Sequence, residues 1–105
     1  LNDLYSTANT FGSLGNMYCS LGQYQRAIEC HLQQLKIYQK VGDRHGEASA
    51  LNSIGMDYQF LNQYSQSIEY LQQALEVGQE ISSRQIEATS LGELGNAYCA
   101  QEQFQ

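Results

Sequence analysis

A chain of 105 residues with 42% hydrophobic residues and a net charge of −6 makes one domain, near the lower limit for a self-sufficient core. Five basic residues against eleven acidic ones argue against a nucleic-acid partner, since backbone neutralisation needs clustered Lys and Arg. No run approaches the roughly 18 apolar residues of a membrane span, so no membrane partner is expected.

The opening Leu1-Asn2-Asp3-Leu4 has neither the basic region nor the apolar stretch of a signal peptide, and the missing initiator Met hints at a piece of a longer protein. Proline is absent and Gln occurs 15 times among abundant Leu, Glu and Ala. That mixture favours helix throughout, with only glycines to interrupt it. The expected fold class is all-α. Three cysteines, an odd number without short pair spacing, read as free thiols in a reducing compartment, so a cytoplasmic location is expected.

Apolar residues at spacings of three and four predict five helices. The first, 4–21, carries Ala8, Phe11, Gly15, Tyr18 and Leu21 on one face, and Gly22-Gln23 turns the chain. The second, 24–41, aligns Tyr24, Ile28, Leu32 and Leu35. Asp43 then suits an N-cap for the third helix, 44–61, with Ala48, Leu51, Gly55, Tyr58 and Leu61. Asn62-Gln63 turns into the fourth, 64–81, with Tyr64, Ile68, Leu71 and Leu75. Ser83 suits the next N-cap, and Ser82 with Gln85 suits a capping box. The fifth helix, 84–101, shows Ala88, Leu91, Gly95 and Tyr98, and Glu102-Gln103 stands where the earlier turns stood. Turns this short join antiparallel neighbours.

The elements repeat. A shift of 40 residues gives 20 identities in 65 overlapping pairs, against roughly five or six from composition alone. The repeats span 1–42 and 43–82, with 83–105 as the first helix of a truncated third. Gly15, Gly55 and Gly95 recur at the centre of each first helix, where Gly costs about 1 kcal/mol against Ala. They are expected at the closest helix crossings. A second helix starting near Phe104 would be cut off, leaving apolar surface at an open C-terminal end that invites self-association.

Phe11, Leu14, Gly15, Tyr18, Gly22, Tyr24 and Ala27, with Ala74 in the second copy, follow a known signature. The chain resembles the tetratricopeptide repeat. Its period of 40 rather than 34, with Leu-Gly-Asn and a following Gly-Asp-Arg, resembles the longer LGN-type subclass, which includes eukaryotic spindle-orientation adaptors. Similar repeats occur in bacterial signalling proteins. The resemblance implies a right-handed superhelical solenoid of antiparallel helix pairs that presents a concave surface to protein or peptide partners. Three positions depart from the pattern: Gln34 and Ser67 where Ala is usual, and Glu102 in place of the turn Gly.

Catalytic chemistry finds little support. Cys30 adjoins His31, but adjacent helical residues point about 100° apart, so packing explains His31 better than a nucleophile–base pair. Cys19 and Cys99 lie two periods apart, about 20 Å in a stacked solenoid, too far to share a metal. Phe11-Gly12-Ser13-Leu14-Gly15 falls inside a helix and makes no phosphate loop. The carboxylates are scattered singly, as on solvated helix faces. No enzyme activity, metal or cofactor is expected. Tyr18, Tyr58 and Tyr98 follow the period and suit the core, while Tyr5, Tyr38 and Tyr70 are candidate surface contacts.

The remaining candidate is the concave wall of the first helices. Asn9, Asn16 and Cys19, then Asn52, Met56, Gln59 and Phe60, then Asn96, lie off the packing face. Asn16, Asn52 and Asn96 suit hydrogen bonds to an extended peptide, and Met56 with Phe60 suits an apolar anchor pocket. Two structural readings compete: Asn16 and Asn96 as repeat consensus, and Phe60 as packing against the next repeat. Gly12, Asn52 and Gly92 stand where chaperone-tail receptors carry basic clamp residues, which argues against binding a terminal carboxylate. Charge runs from +1 over 1–40 to −5 over 41–80 and −2 over 81–105, favouring a neutral or basic partner. A spacer within a longer array and a regulatory segment of a larger signalling protein are the alternatives.

Overall fold

The computed structural model describes residues 2–103. Helices α1 (Asn2–Ser20), α2 (Tyr24–Val41), α3 (Arg44–Phe60), α4 (Tyr64–Glu80) and α5 (Arg84–Gln103) follow one another, with no strand among the described residues. Each packs on the next in sequence, and α3 also touches α5. The result is a slab 45 × 33 × 17 Å in extent, helix pairs stacked side by side. Phe104, expected to open a further helix, lies outside the described residues.

The turns are local chemistry. Gly22, Gly42, Asn62 and Ser82 all adopt positive φ, from 56° to 80°, within two residues of a helix end. At all four the next amide reaches back five residues, Gln23 to the Tyr18 carbonyl at 2.8 Å, Asp43 to Tyr38 at 3.0 Å, Gln63 to Tyr58 at 2.9 Å and Ser83 to Gly78 at 2.9 Å. This Schellman pattern satisfies carbonyls that the helix leaves open. The left-handed conformation costs an ordinary L-residue about 1–2 kcal/mol, which is why Gly holds two of the four places. The Asp43 carboxylate accepts from the Gly46 amide at 2.9 Å, and the Ser83 hydroxyl from the Ile86 amide at 3.3 Å. Glu102 does not make the expected turn: α5 runs on through Gln103. A Glu has high helix propensity and no ease in the left-handed region, so the helix continues.

The main core joins Leu35 of α2 to Ala48, Ala50, Leu51 and Ile54 of α3, Ala74 and Val77 of α4, and Ile86 of α5. A second cluster holds Leu71, Leu94 and Ala97. Gly15 and Gly55 sit where helices nearly touch. A Cβ at Gly15 would lie 2.5 Å from His31 Nε2, and one at Gly55 2.6 Å from Leu71 Cγ. Gly95 differs from expectation, for a Cβ there meets nothing within 4 Å. The helix that covers Gly15 or Gly55 is the second of its pair, and no such helix covers α5 among the described residues. For the same reason Tyr98 is 45% exposed while Tyr18 and Tyr58 are half-buried. Tyr58 also stacks on Tyr70 at 5.6 Å, and Tyr5 meets Tyr38 at 6.4 Å. Tyr38 and Tyr70 are therefore part of the packing rather than free surface contacts.

Candidate functional site

The two junctions between helix pairs are built from different chemistry. At the second, Leu71 of α4 packs with Leu94 and Ala97 of α5. One period earlier Leu94 has its counterpart in Ile54, but Leu71 and Ala97 are replaced by His31 and Asp57, and there the contact becomes polar. His31 Nδ1 lies 2.6 Å from Asp57 Oδ2, with both side chains only 2% exposed. An ionised carboxylate only accepts, so Nδ1 is the donor. His31 Nε2 rests against Gly15 and has no partner among the described residues. On the other side of the carboxylate, the Cys19 thiol donates to Asp57 Oδ1 at 3.2 Å.

Cys19 is thus a strut between α1 and α3. Burial, the hydrogen bond to Asp57 and the charge of that carboxylate push its pKa from the ordinary 9.0 up to about 11. A thiol held protonated is a weak nucleophile and a poor metal ligand. Because the folded-state value lies above the free one, any stability from this bond is intact below pH 9.0 and is lost as pH rises through about 11. No three His, Cys, Asp or Glu side chains among the described residues are arranged to hold a metal ion.

The wall of α1, α3 and α5 brings some of the sequence-derived residues together and separates others. Met56, Gln59 and Phe60 border one hollow of about 210 Å³ with Tyr64, Glu93 and Ala100. Phe60 is 55% exposed, and its ring stacks on Tyr24 with centroids 4.8 Å apart and planes 11° apart. Gln59 Nε2 donates across to α5, to Glu93 Oε1 at 3.1 Å and to the Glu93 carbonyl at 3.3 Å. A neighbouring hollow of about 240 Å³ is shared by Asn52, Met56, His45 and Thr89.

Asn52 is not a free amide. It is only 6% exposed, and its Oδ1 accepts from the Ser90 hydroxyl at 2.9 Å. The bond ties α3 to α5, because Ser90 is fully buried and its hydroxyl needs a partner. Asn9, Asn16 and Asn96 are exposed. Asn9 borders a separate hollow along α1 with Thr10, Ser13, Leu14 and Met17.

Sequence reasoning missed Asp57, Glu93, Ser90 and the Tyr24 stack. The signal for Asp57 was its alignment with Met17 and Ala97, and the signal for Glu93 its alignment with Ser13 and Ser53. A lone carboxylate in a repeat column is where the repeat has been adapted.

Paired antiparallel helices stacked at a constant period, with crossings pared to glycine, define a helical-repeat solenoid. The tetratricopeptide-repeat family model matches residues 6–80, and the chain belongs to that family. The fold is similar to that of the TPR domain of Arabidopsis FLU, with a TM-score of 0.76 over 96% of this chain and 93% of that one at 20% identity. No curated protein sequence matches it. Repeats of this family are generally non-catalytic scaffolds for protein–protein interaction.

Proposed function

We propose that this chain is a peptide-binding segment of a scaffold or adaptor, holding its partner along the concave wall of α1, α3 and α5. One observation carries the reading. Phe60 is a large apolar ring kept 55% exposed mid-wall, its orientation fixed by Tyr24 rather than by burial. Exposed aromatics that are already ordered lose little entropy on binding and serve as anchors. The 40-residue period and the Leu14-Gly15-Asn16 motif support a place among LGN-type repeats, and three free thiols support a reducing, cytoplasmic setting. No described helix is long and apolar enough to cross a membrane.

Peptide-array and pull-down measurements test the reading. Phe60→Ala should weaken binding by about 2 kcal/mol, as for a central aromatic anchor. Asn16→Ala and Asn96→Ala should each remove about 1 kcal/mol. Asn52→Ala is the internal control: it strands the Ser90 hydroxyl and should lower thermal stability instead. If the Asn16, Asn96 and Phe60 variants stay folded and keep every partner at unchanged affinity, the wall is not the site and the spacer reading moves ahead.

A second reading concerns the end of the slab. Leu91 is 57% exposed and Tyr98 45%, beside the uncovered Gly92 and Gly95. Such a face supports self-association or coverage by a neighbouring helix. Sedimentation over a wide concentration range should show reversible association that Leu91→Glu abolishes. A chain that stays monomeric at every concentration excludes self-association.

A further inference from the structure

We propose that the hollow beside Phe60 receives an arginine side chain of the bound peptide, its guanidinium laid on the Phe60 ring and paired with Glu93. The proposal rests on the reading of the wall as a peptide site and names the partner's chemistry.

The hollow exists because this junction departs from the repeat in two places at once. Phe60 stands where the other copies have Ser20 and Ala100, so the ring projects beside small neighbours. Glu93 stands where they have Ser13 and Ser53, so a carboxylate appears on the same rim. Tyr24 stacks against the Phe60 ring but does not border the hollow, which leaves ring surface facing that space. Gln59 pins the carboxylate through Oε1 at 3.1 Å. Glu93 Oε2 takes no hydrogen bond, and no cation pairs with Glu93, among the described residues.

Each alternative side chain meets an objection. An aliphatic group would fill the hollow but desolvate the Glu93 carboxylate without replacing its water. An acidic group is repelled. Lysine satisfies the charge, yet its compact, strongly hydrated ammonium makes poor use of a flat ring. Arginine meets all three features, with a methylene stem for Met56 and Ala100, a planar cation for the ring face and donors for the free oxygen. The charge of −5 over 41–80 and −2 over 81–105 draws basic segments toward this half of the chain.

A positional-scanning peptide library screened against the 105-residue chain tests this. Bound peptides should share one arginine position, with affinity lost about tenfold for Arg→Ala and several-fold for Arg→Lys. Glu93→Gln, nearly isosteric and still able to bond Gln59, should erase the arginine preference without shifting thermal unfolding. Phe60→Leu should keep a preference for positive charge but no longer distinguish Arg from Lys. A library with no cationic preference, or a Glu93→Gln variant that keeps it, overturns the proposal even where Phe60→Ala still abolishes binding and the wall reading survives. If no wall substitution alters peptide binding, the wall reading itself fails and this assignment falls with it.

Discussion

His31→Leu should destabilise the chain by about 3–5 kcal/mol, and adding Asp57→Ala should restore most or all of that loss. The single change leaves the Asp57 carboxylate 2% exposed with only the Cys19 thiol to bond it, an uncompensated charge in a dry junction. The double change removes the charge together with its partner. It also installs the pair the molecule already uses one period on, where Leu71 and Ala97 are both fully buried. Leu fits against glycine there, since Leu71 covers Gly55 as His31 covers Gly15. Asp57→Ala alone should cost less, about 1–3 kcal/mol, because it strands a polar nitrogen rather than a charge. The unpaired His31 Nε2 makes the native pair a poor source of net stability. Denaturant unfolding of the wild type, both single variants and the double variant gives the coupling directly. A double variant no more stable than His31→Leu alone would show that the His31–Asp57 bond stabilises the junction beyond what an apolar contact offers.

That cycle marks where the sequence stops being readable. The five helices, their turns and the small helix crossings follow from periodicities of 3.6 and 40, which any pair of aligned residues reveals. The residues that personalise the scaffold are the ones that break those periods. His31 and Asp57 are 26 positions apart on different helices, and nothing local says that one faces the other. Asn52 looked like a wall residue because its spacing puts it off the packing face of α3. It is buried because α5 arrives with Ser90, a contact set by how one repeat stacks on the next. Gly95 shows the converse. Its sequence setting matches Gly15 and Gly55, yet the crossing depends on a second helix that the pattern of the first cannot supply. Within-helix faces are legible; contacts between repeats need the stacking geometry.

Gly55→Leu should cost more than about 2 kcal/mol by overpacking, whereas Gly95→Ala should be neutral or stabilise by up to about 1 kcal/mol. The two sites share a repeat position and differ only in what lies opposite. At Gly55 even the first added carbon would lie 2.6 Å from Leu71 Cγ, 2.7 Å from Leu71 Cδ2 and 3.3 Å from the Ser67 carbonyl oxygen. Leu71 is fully buried, so it has no solvent to swing into. Nor can the carbonyl retreat easily, since the Gly55 carbonyl accepts from the Ser67 hydroxyl at 2.7 Å and holds the helices at that separation. A leucine must therefore push α4 away from α3, opening the core around Ile54 and Ala74. At Gly95 the same face is open among the described residues, and the substitution only trades a flexible residue for the best helix former. Thermal unfolding of both variants decides the matter. If Gly55→Leu unfolds at the wild-type temperature, the α3–α4 crossing is looser than these contacts require; if Gly95→Ala destabilises instead, something outside residues 2–103 packs against that glycine.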